Sequence, residues 1–211
     1  IEEPRLRKWL QVIERSALDG AQTVRRLQGF TRVRRDQPFV PVDLNQVVRD
    51  ALEITQSRWR EESRSRGIAI DLRAALGEVP SVGGDPVELR EALTNLILNA
   101  VDAMPDGGAL SLRTAVVDGL VELAVSDTGV GMPDSVRQRI FDPFFTTKGA
   151  QGTGLGLSIT YGILTRHRAR VTVESEPGQG TTFRLAFEPG AAVDVTEPVG
   201  SILAAAGVSM R

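Results

Sequence analysis

Apolar positions in the first 35 residues follow a heptad pattern. They recur at alternating steps of four and three, at Leu6, Leu10, Ile13, Ala17, Gly20, Val24 and Leu27. This spacing predicts one long helix over residues 4–35, with a seam suited to a coiled coil or a helical bundle. A lone helix cannot bury such a seam, so we expect a partner helix or a second chain. The alternative is a helix docked on its own domain.

Beyond this helix the pattern shifts between helical and strand periodicity. Pro38 and Pro41 break the heptads and predict a short extended linker. We then expect helices near residues 43–63, 86–104 and 155–167, and strands near 67–73, 109–116, 120–126, 170–175 and 181–187. Asp85, Pro86 and Glu88 predict a helix start with a capping box.

The order of these elements predicts an α+β fold. We expect a two-layer α/β sandwich, with one mixed sheet covered by helices on one face, preceded by the long helix of a dimeric helical bundle. The expected domains are a bundle helix, a linker, the sandwich domain and a tail without a clear pattern, at residues 1–36, 37–42, 43–189 and 190–211.

Composition narrows the class of protein. A net charge of −2 gives no indication of nucleic-acid binding, and we interpret the arginines between residues 25 and 35 as a solvated helix end. No apolar run is long enough to span a membrane, and the absence of cysteine excludes disulfides and thiolate metal sites. Because the first residue is Ile1, we expect the chain to be a piece of a longer protein, with any membrane anchor outside it.

The helix near 86–104 carries an unusual polar stripe. Glu91, Asn95, Asn99 and Asp102 are spaced by four, four and three residues and share one face of an otherwise apolar helix. Asparagine is a mediocre helix former, and its neutral carbonyl oxygen suits a hard cation such as Mg²⁺ alongside phosphates. The alternative is an ordinary solvated helix face.

A second candidate lies where a strand ends in a glycine turn. Asp127 is followed by Gly129 and Gly131, which allow close approach of the backbone to a flat or phosphorylated ligand. A carboxylate accepts hydrogen bonds and donates none, so it would select an amino group, as on adenine, over a carbonyl. Taken alone, the motif is equally consistent with a plain turn.

A third candidate opens the helix near 155–167. Free backbone N–H groups at a helix start, made accessible by glycines, form an anion site. The residues concerned are Gly152, Thr153, Gly154, Leu155 and Gly156. Just before them, three phenylalanines within residues 141–145 indicate either a small satellite core or a movable lid. Lys148, one of only two lysines, is a candidate point-charge contact to the terminal phosphates.

These elements, in this order, resemble the catalytic domain of bacterial sensor histidine kinases, within the wider superfamily of gyrase, chaperone, kinase and mismatch-repair ATPases. The resemblance covers about residues 42–188. Its motifs are the N box, the first glycine box, the F box, the second glycine box and a closing Gly-x-Gly-Thr strand entry, at residues 95–100, 127–131, 141–145, 152–156 and 178–183. The wording of residues 102–104 and 141–148 is most similar to nitrogen-regulation kinases.

The resemblance implies ATP and Mg²⁺ as ligands and gives each candidate a role. Asn99 would ligate Mg²⁺, Asn95 would support the phosphates, and Asp127 would bind the adenine amino group. Thr181 would assist through water, and Glu91 would polarise the phosphoacceptor or a water. Asp102 would be a further nucleotide-binding residue. The nucleotide would be lined by Gly129, Gly131, Gly154 and Gly156, with residues 133–153 as the ATP lid.

The resemblance also implies partners and a location. The expected activity is ATP-dependent transfer of a phosphoryl group to a histidine and then to a response regulator, in the cytoplasm. The helix over residues 4–35 resembles the second helix of the dimerisation and phosphotransfer hairpin, which implies a homodimer when that hairpin is complete.

The sequence departs from the kinase pattern at two places. The phosphoacceptor histidine is missing, since the single histidine, His167, ends the helix after the second glycine box and is interpreted as a capping or packing residue. Relatives often carry two glycines after that histidine, whereas this chain has Arg168 and Ala169. A left-handed helix cap would therefore be less favourable here. We therefore expect ATP or ADP binding without autophosphorylation.

Three other classes remain as alternatives. A chaperone- or gyrase-like ATPase is disfavoured by the short lid and by the lack of a following transducer domain. A non-catalytic docking module would fail to bind nucleotide. A serine kinase of the anti-sigma type is disfavoured by the heptad helix.

Overall fold

The structure is a computed structural model that describes Trp9 and residues 38–62, 67–149 and 152–190. The predicted bundle helix, apart from Trp9, and the predicted tail lie outside the described residues. The predicted dimer therefore stays a prediction, and the sandwich domain is the part of the chain that can be compared with expectation.

Seven strands form two sheets within the described residues. The strands are β1 Val40–Val42, β2 Ile70–Leu76, β3 Val82–Gly84, β4 Gly108–Val117, β5 Leu120–Asp127, β6 Arg170–Glu176 and β7 Gly180–Phe187. Five of them make the main sheet, in the order β2-β4-β5-β7-β6. The β2–β4 pair is parallel and the other pairs are antiparallel, so the sheet is mixed as predicted.

Helices pack on one face of this sheet. They are α1 Leu44–Ile54, α2 Pro86–Asp102, the short α3 Asp134–Arg137 and α4 Gly156–Arg166. Central α2 packs against both α1 and α4. Its apolar side meets the inward-facing residues of β4, β5 and β7, and this contact forms the core, with Leu93, Leu96, Ile97, Leu110, Leu112, Leu185 and Phe187 almost fully buried. The predicted two-layer sandwich is confirmed.

The chain before α1 is extended, as predicted, but it is not a bare connection. β1 pairs antiparallel with β3, and Phe39 and Val42 are buried in the domain. Pro189, just after β7, bridges to Val82 of β3. The start and the end of the described domain therefore meet at this small sheet, which the sequence pattern did not predict.

The helix expected over residues 43–63 is confirmed in extent over the described residues, but it is not one regular α-helix, because it is interrupted at Thr55. After α1, Thr55 is buried and its hydroxyl donates to the carbonyl of Ala51 at 2.7 Å, a bond that competes with the helical ladder. Residues Ser57–Glu62 then form a wider π-helical turn. Trp59 fastens this turn by donating its indole N–H to the carbonyl of Leu52 at 3.2 Å.

The start of α2 has the predicted cap but not the predicted capping box. The Asp85 carboxylate accepts the backbone N–H groups of Val87 and Glu88, at 2.8 and 3.4 Å. In a capping box, Glu88 would accept the backbone N–H of Asp85. Instead that N–H donates to Nε2 of His167 at 3.0 Å, and Glu88 pairs with Arg166. Two residues at the end of α4 thus take over the expected partners.

His167 is a packing residue, as predicted. Its ring is buried and stacked on Phe39, with ring centroids 4.6 Å apart. Nε2 accepts from Asp85, so the ring proton sits on Nδ1, which lies 2.7 Å from the carbonyl of Ile163. Burial lowers the pKa of His167.

The next residue keeps the left-handed helix cap that the absence of glycine made unfavourable. Arg168 has φ of 52°, in the left-handed region. Its N–H donates to the carbonyl of Thr165 at 3.0 Å, and the N–H of Ala169 donates to that of Leu164 at 2.9 Å. This pair of bonds is a Schellman motif, with arginine where glycine is preferred.

Candidate nucleotide-binding site

The polar stripe of α2 faces the segment that contains the later motifs. Asn95 and Asn99 are half-buried, while Glu91 and Asp102 are exposed. The amide of Asn95 lies 3.5 Å from the carbonyl oxygen of Gly156, the first residue of α4. The stripe is therefore more than a solvated helix face, because its central residues meet the second glycine motif and Lys148.

Lys148 connects the predicted lid to the stripe. Its ammonium donates to Oδ1 of Asn99 at 3.0 Å and to Oδ2 of Asp102 at 2.8 Å. The other oxygen of Asp102 accepts from Arg58 at 2.8 Å. Asp102 thus holds two cations, one from the lid and one from the π-helical turn. No sequence motif marked Arg58, because the pair spans 44 residues.

Asp127 ends β5 as a buried carboxylate. It is 8% exposed, and Oδ1 accepts the backbone N–H of Gly129 at 2.9 Å. Burial raises the pKa of Asp127, while hydrogen bonds from the backbone of Gly129 and Thr181 oppose the shift. Thr181 lies directly opposite Asp127 in the β5–β7 register. Two sequence-predicted residues therefore meet, both with buried side chains.

A third residue joins this pair, and sequence reasoning missed it. Ser175 of β6 also lies opposite Thr181, and their hydroxyl oxygens are 3.0 Å apart. The serine hydroxyl also accepts the backbone N–H of Met132 at 2.9 Å. Ser175 occupies an inward position that Val171 and Val173 fill earlier in the strand, and this polar break in an apolar alternation was the available signal.

An open cavity of about 660 Å³ adjoins this end of the site. Met132, Ser175, Gly180 and Thr181 line it, together with α3 and the turn between β6 and β7. Its lining includes Thr181 from the predicted set, but none of the residues of the phosphate motifs. The cavity therefore reaches Thr181, the residue opposite Asp127, while Asp127 itself and the stripe of α2 are not part of its lining.

The predicted glycines fall into two groups. A Cβ atom at Gly129, Gly131 or Gly154 would collide with backbone atoms of Ala103, Glu176 or Phe144, respectively. Gly131 and Gly154 also have positive φ, so the fold itself requires glycine at these positions. At Gly156, by contrast, a Cβ would meet open space, so packing does not explain the glycine and a close ligand would.

The start of α4 differs from the start of α2. The N-cap residue of α4, Leu155, makes no side-chain cap bond, whereas Asp85 caps α2. The first N–H groups of a helix attract anions, so an uncapped start next to Gly156 suits phosphate. Leu155 is 2% exposed, and its side chain belongs to the core, so any contact from Leu155 to a nucleotide would use its backbone. Gly152 and Thr153 precede it in the same turn.

The three phenylalanines of the F box lie in three environments. Phe141 packs on the core and on Tyr161, with ring centroids 4.7 Å apart. Phe145 lies beneath the guanidinium of Arg139 at 4.4 Å. Phe144 is 65% exposed and has φ of 67°. The segment is therefore anchored by aromatic contacts on one side while one ring points into solvent.

Backbone hydrogen bonds bring the motifs together around the end of α2. Val130 in the first glycine turn donates to the carbonyl of Ala103 at 2.9 Å. The turn between β6 and β7 reaches the same place, since Gly178 donates to the carbonyl of Val130 at 2.8 Å. Phe144 donates to the carbonyl of Gly154 at 3.0 Å. The first glycine turn and the β6–β7 turn are thus joined to the end of α2, and the F box is joined to the second glycine box.

Comparison with known proteins identifies the family of the domain that carries this site. Residues 84–191 match the family of histidine kinase-, DNA gyrase B- and HSP90-like ATPases. Sporulation kinase A of Bacillus subtilis is 42% identical over 106 residues, which cover 50% of this chain and 17% of that protein. Sensor kinase CckA of Brucella abortus is 35% identical over 190 residues, covering 82% of this chain and 19% of CckA.

A solved structure shows the same fold. Full-length ShkA in complex with AMPPNP is 27% identical, with a TM-score of 0.74 over 92% of this chain and 41% of that chain. The class is therefore an ATP-binding α/β sandwich of the kind found in histidine kinases. The chain belongs to the histidine kinase-, DNA gyrase B- and HSP90-like ATPase family, and its curated relatives include sensor kinases.

The chain spans less than a fifth of the length of sporulation kinase A and CckA. Among the described residues, none of the helices has the length and apolar character needed to cross a membrane.

Proposed function

We propose that this chain is the catalytic core of a two-component sensor histidine kinase. It binds ATP and transfers the γ-phosphoryl group to a histidine outside this sequence, from which a response regulator takes it. The proposal rests on two features that come together at the polar stripe of α2. Buried Asp127 and the first glycine turn lie at one end of the stripe, and the start of α4 lies against Asn95 within it.

At the adenine end, Asp127 is the base-recognising group. Its ionised carboxylate accepts hydrogen bonds and has none to donate, so it favours the exocyclic amine of adenine. The carboxylate is held by the N–H of Gly129 and is nearly removed from solvent, which strengthens a hydrogen bond to a ligand. Thr181 takes part from the neighbouring strand, directly or through water.

At the phosphate end, the residues present fit a divalent cation. The carbonyl oxygen of Asn99 already accepts from a cation, the Lys148 ammonium, at 3.0 Å. Amide oxygens suit Mg²⁺, which usually takes one or two protein ligands together with phosphate oxygens and water. We assign the Mg²⁺ contact to Asn99. When bound, Mg²⁺ supplies charge neutralisation at the transferred phosphoryl group.

The remaining residues position the phosphates and the acceptor. Phosphoryl transfer depends chiefly on alignment and electrostatic stabilisation. Asn95 is held against the first residue of α4, where the N–H groups meet the phosphates. Lys148 adds a point charge, and exposed Glu91, one turn before Asn95, is the group assigned to polarise the incoming histidine or a water.

The partners follow from the same assignment. The heptad helix over residues 4–35 forms a homodimeric bundle once its hairpin is complete, and the nucleotide is drawn from the cytoplasm. His167 is not the acceptor, since its ring is buried and both nitrogens lie at hydrogen-bonding distance from backbone groups.

Labelled ATP tests the donor half of this proposal. With γ-labelled ATP and Mg²⁺, the chain retains nucleotide reversibly, and unlabelled ADP displaces it. No label becomes covalently attached. Absence of nucleotide binding would contradict the proposed core, and an alkali-stable phosphoryl group on His167 would contradict the assignment of an outside acceptor.

A further inference from the structure

Ser175 takes part in several hydrogen bonds close to Asp127, and the proposed function gives it no role. Its hydroxyl oxygen lies 2.9 Å from the N–H of Met132, 3.0 Å from the carbonyl oxygen of Gly180 and 3.0 Å from the hydroxyl of Thr181. The first contact holds the chain just after Gly131, and the last reaches the residue opposite Asp127. Ser175 therefore connects the segment after the first glycine turn to β7, and these two segments frame the proposed adenine end.

Counting protons fixes the direction of these bonds. A hydroxyl has one proton to donate and two lone pairs. The N–H of Met132 and the carbonyl of Gly180 have fixed roles, so Ser175 accepts from the first and donates to the second. Its single proton is then used, and the Thr181 hydroxyl must donate to Ser175 for the 3.0 Å contact to be a hydrogen bond. This leaves Thr181 only lone pairs to offer a ligand.

We propose that Ser175 is a specificity-determining positioning residue, which sets the Thr181 hydroxyl as an acceptor beside Asp127 so that the site selects a 6-amino purine over a 6-oxo purine. Adenine presents an amine donor at this edge, and hypoxanthine presents a carbonyl acceptor. Two neighbouring acceptors attract the amine and repel the carbonyl, either directly or through a water that donates both of its protons to them and is left with only lone pairs. The inference rests on the proposed ATP site and deepens it.

Removing Ser175 frees the proton of Thr181. In Ser175→Ala the threonine hydroxyl can rotate and donate toward a 6-oxo group, so discrimination is reduced although Asp127 is unchanged. A neutral hydrogen bond of this kind changes binding by about three- to tenfold. A purely structural loss would weaken ADP and inosine diphosphate alike, and the ratio of their affinities would stay constant.

Calorimetric titration with ADP and with inosine diphosphate tests the inference. The measured quantity is the dissociation constant for inosine diphosphate divided by that for ADP. We expect this ratio to fall about three- to tenfold in Ser175→Ala. Ser175→Thr keeps the hydroxyl on a strand that tolerates β-branching and restores the wild-type ratio. Thr181→Val alone should also lower the ratio, which keeps the test available if Ser175→Ala folds poorly. Adding Ser175→Ala to Thr181→Val should lower the ratio no further.

The outcomes separate this inference from the proposed function. Wild-type protein that does not bind ADP, or an Asp127→Asn variant that binds it normally, would overturn both. ADP binding that depends on Asp127, together with an unchanged ratio in Ser175→Ala and Thr181→Val, would overturn the role of Ser175 alone. An additive effect of the two substitutions would also contradict it, because Ser175 is argued to act through Thr181.

Discussion

The two ends of the site are built in different ways. At the proposed adenine end, Asp127 and Thr181 are buried, and the turn around Gly131 fits against backbone atoms that leave no room for a side chain. At the phosphate end, Lys148 and Asp102 are about one-third exposed and meet as an ion pair on the surface. One end is held by packing and by directed hydrogen bonds, and the other by charges.

This difference teaches which part of the site is preorganised. The groups at the adenine end are already satisfied by fixed partners, so a base can bind there without rearrangement. At the proposed phosphate end, the ammonium of Lys148 is bound to Asn99 and Asp102, and a metal ion on the same Asn99 oxygen would repel it. We therefore expect selectivity from the first end and rearrangement on binding from the second.

The largest expected effect is at the preorganised end. Asp127→Asn removes the charge that accepts from adenine, and ADP affinity should fall about 10- to 100-fold, as for other hydrogen bonds to charged groups. Stability should not fall, because burial raises the pKa of Asp127 and thus opposes its charged form. Calorimetry and urea unfolding measure the two quantities.

Asp118→Asn is the matched control, since Asp118 is an exposed carboxylate in the β4–β5 turn. It should leave ADP affinity unchanged. Equal affinities for Asp127→Asn and wild type would show that the buried carboxylate does not read the base.

A smaller effect is expected at the phosphate end. Lys148→Met should weaken ATP binding about three- to tenfold through the loss of one charge–phosphate contact. Unfolding free energy should change by less than about 1 kcal/mol, because surface ion pairs contribute little. Asp102→Asn, which releases the same lysine without removing it, should leave ATP affinity equal or higher. A loss in Asp102→Asn as large as in Lys148→Met would mean that the ion pair itself builds the site.

The C-terminal end of α4 should make the stability of the domain depend on pH, without an effect on nucleotide binding. The pKa of His167 is lowered by burial, so its contribution to stability is present above the ordinary histidine pKa and is lost as pH falls below it. Between pH 7.5 and 5.5 this costs at most about 1.4 kcal/mol. Glu88 opposes it, since burial raises the pKa of that carboxyl. Asp85 and Arg166 are the other charged groups nearby.

Because the sequence has one histidine, the comparison with His167→Gln isolates this effect. Urea unfolding at the two pH values should show a smaller loss for the variant than for wild type. The same loss in both proteins would assign the pH dependence to other groups.

The smallest effect concerns Arg168, beside His167. Arg168→Gly should stabilise the domain by about 1 kcal/mol, because a non-glycine residue in the left-handed region carries roughly that strain. Arg168→Ala keeps the strain and should give no gain. Chemical unfolding measures both, and ADP affinity should be unchanged. A destabilised glycine variant would indicate that the arginine side chain compensates for its conformation.

The sequence predicted elements and motifs better than it predicted their connections. The mixed sheet and α2 follow from clear periodicities, and Asp85 from an unambiguous cap. The pairing of Asp85 with His167 could not be predicted, since the two are separated by 82 residues and the local capping-box signal favoured Glu88. The break at Thr55 was hidden for a different reason, because a threonine hydroxyl bonded within its own helix leaves the apolar pattern intact.

The same distinction holds in the site. Asn99 and Asp127 could be predicted because asparagine is unusual within an apolar helix and a carboxylate is unusual at the end of an apolar strand. The glycines could be predicted because they cluster in two short turns. Which glycines serve packing could be seen only from their neighbours, as Gly131 against Glu176 and Gly156 against open space illustrate.

The most direct test of the central claim is ATP binding by calorimetry with and without Mg²⁺, for wild type and Asn99→Ala. The account predicts that Mg²⁺ increases ATP affinity in wild type and has no effect in Asn99→Ala, while Mg²⁺-free binding through Asp127 persists in both. An equal increase with Mg²⁺ in the two proteins would contradict the assignment of Asn99 at the phosphate end.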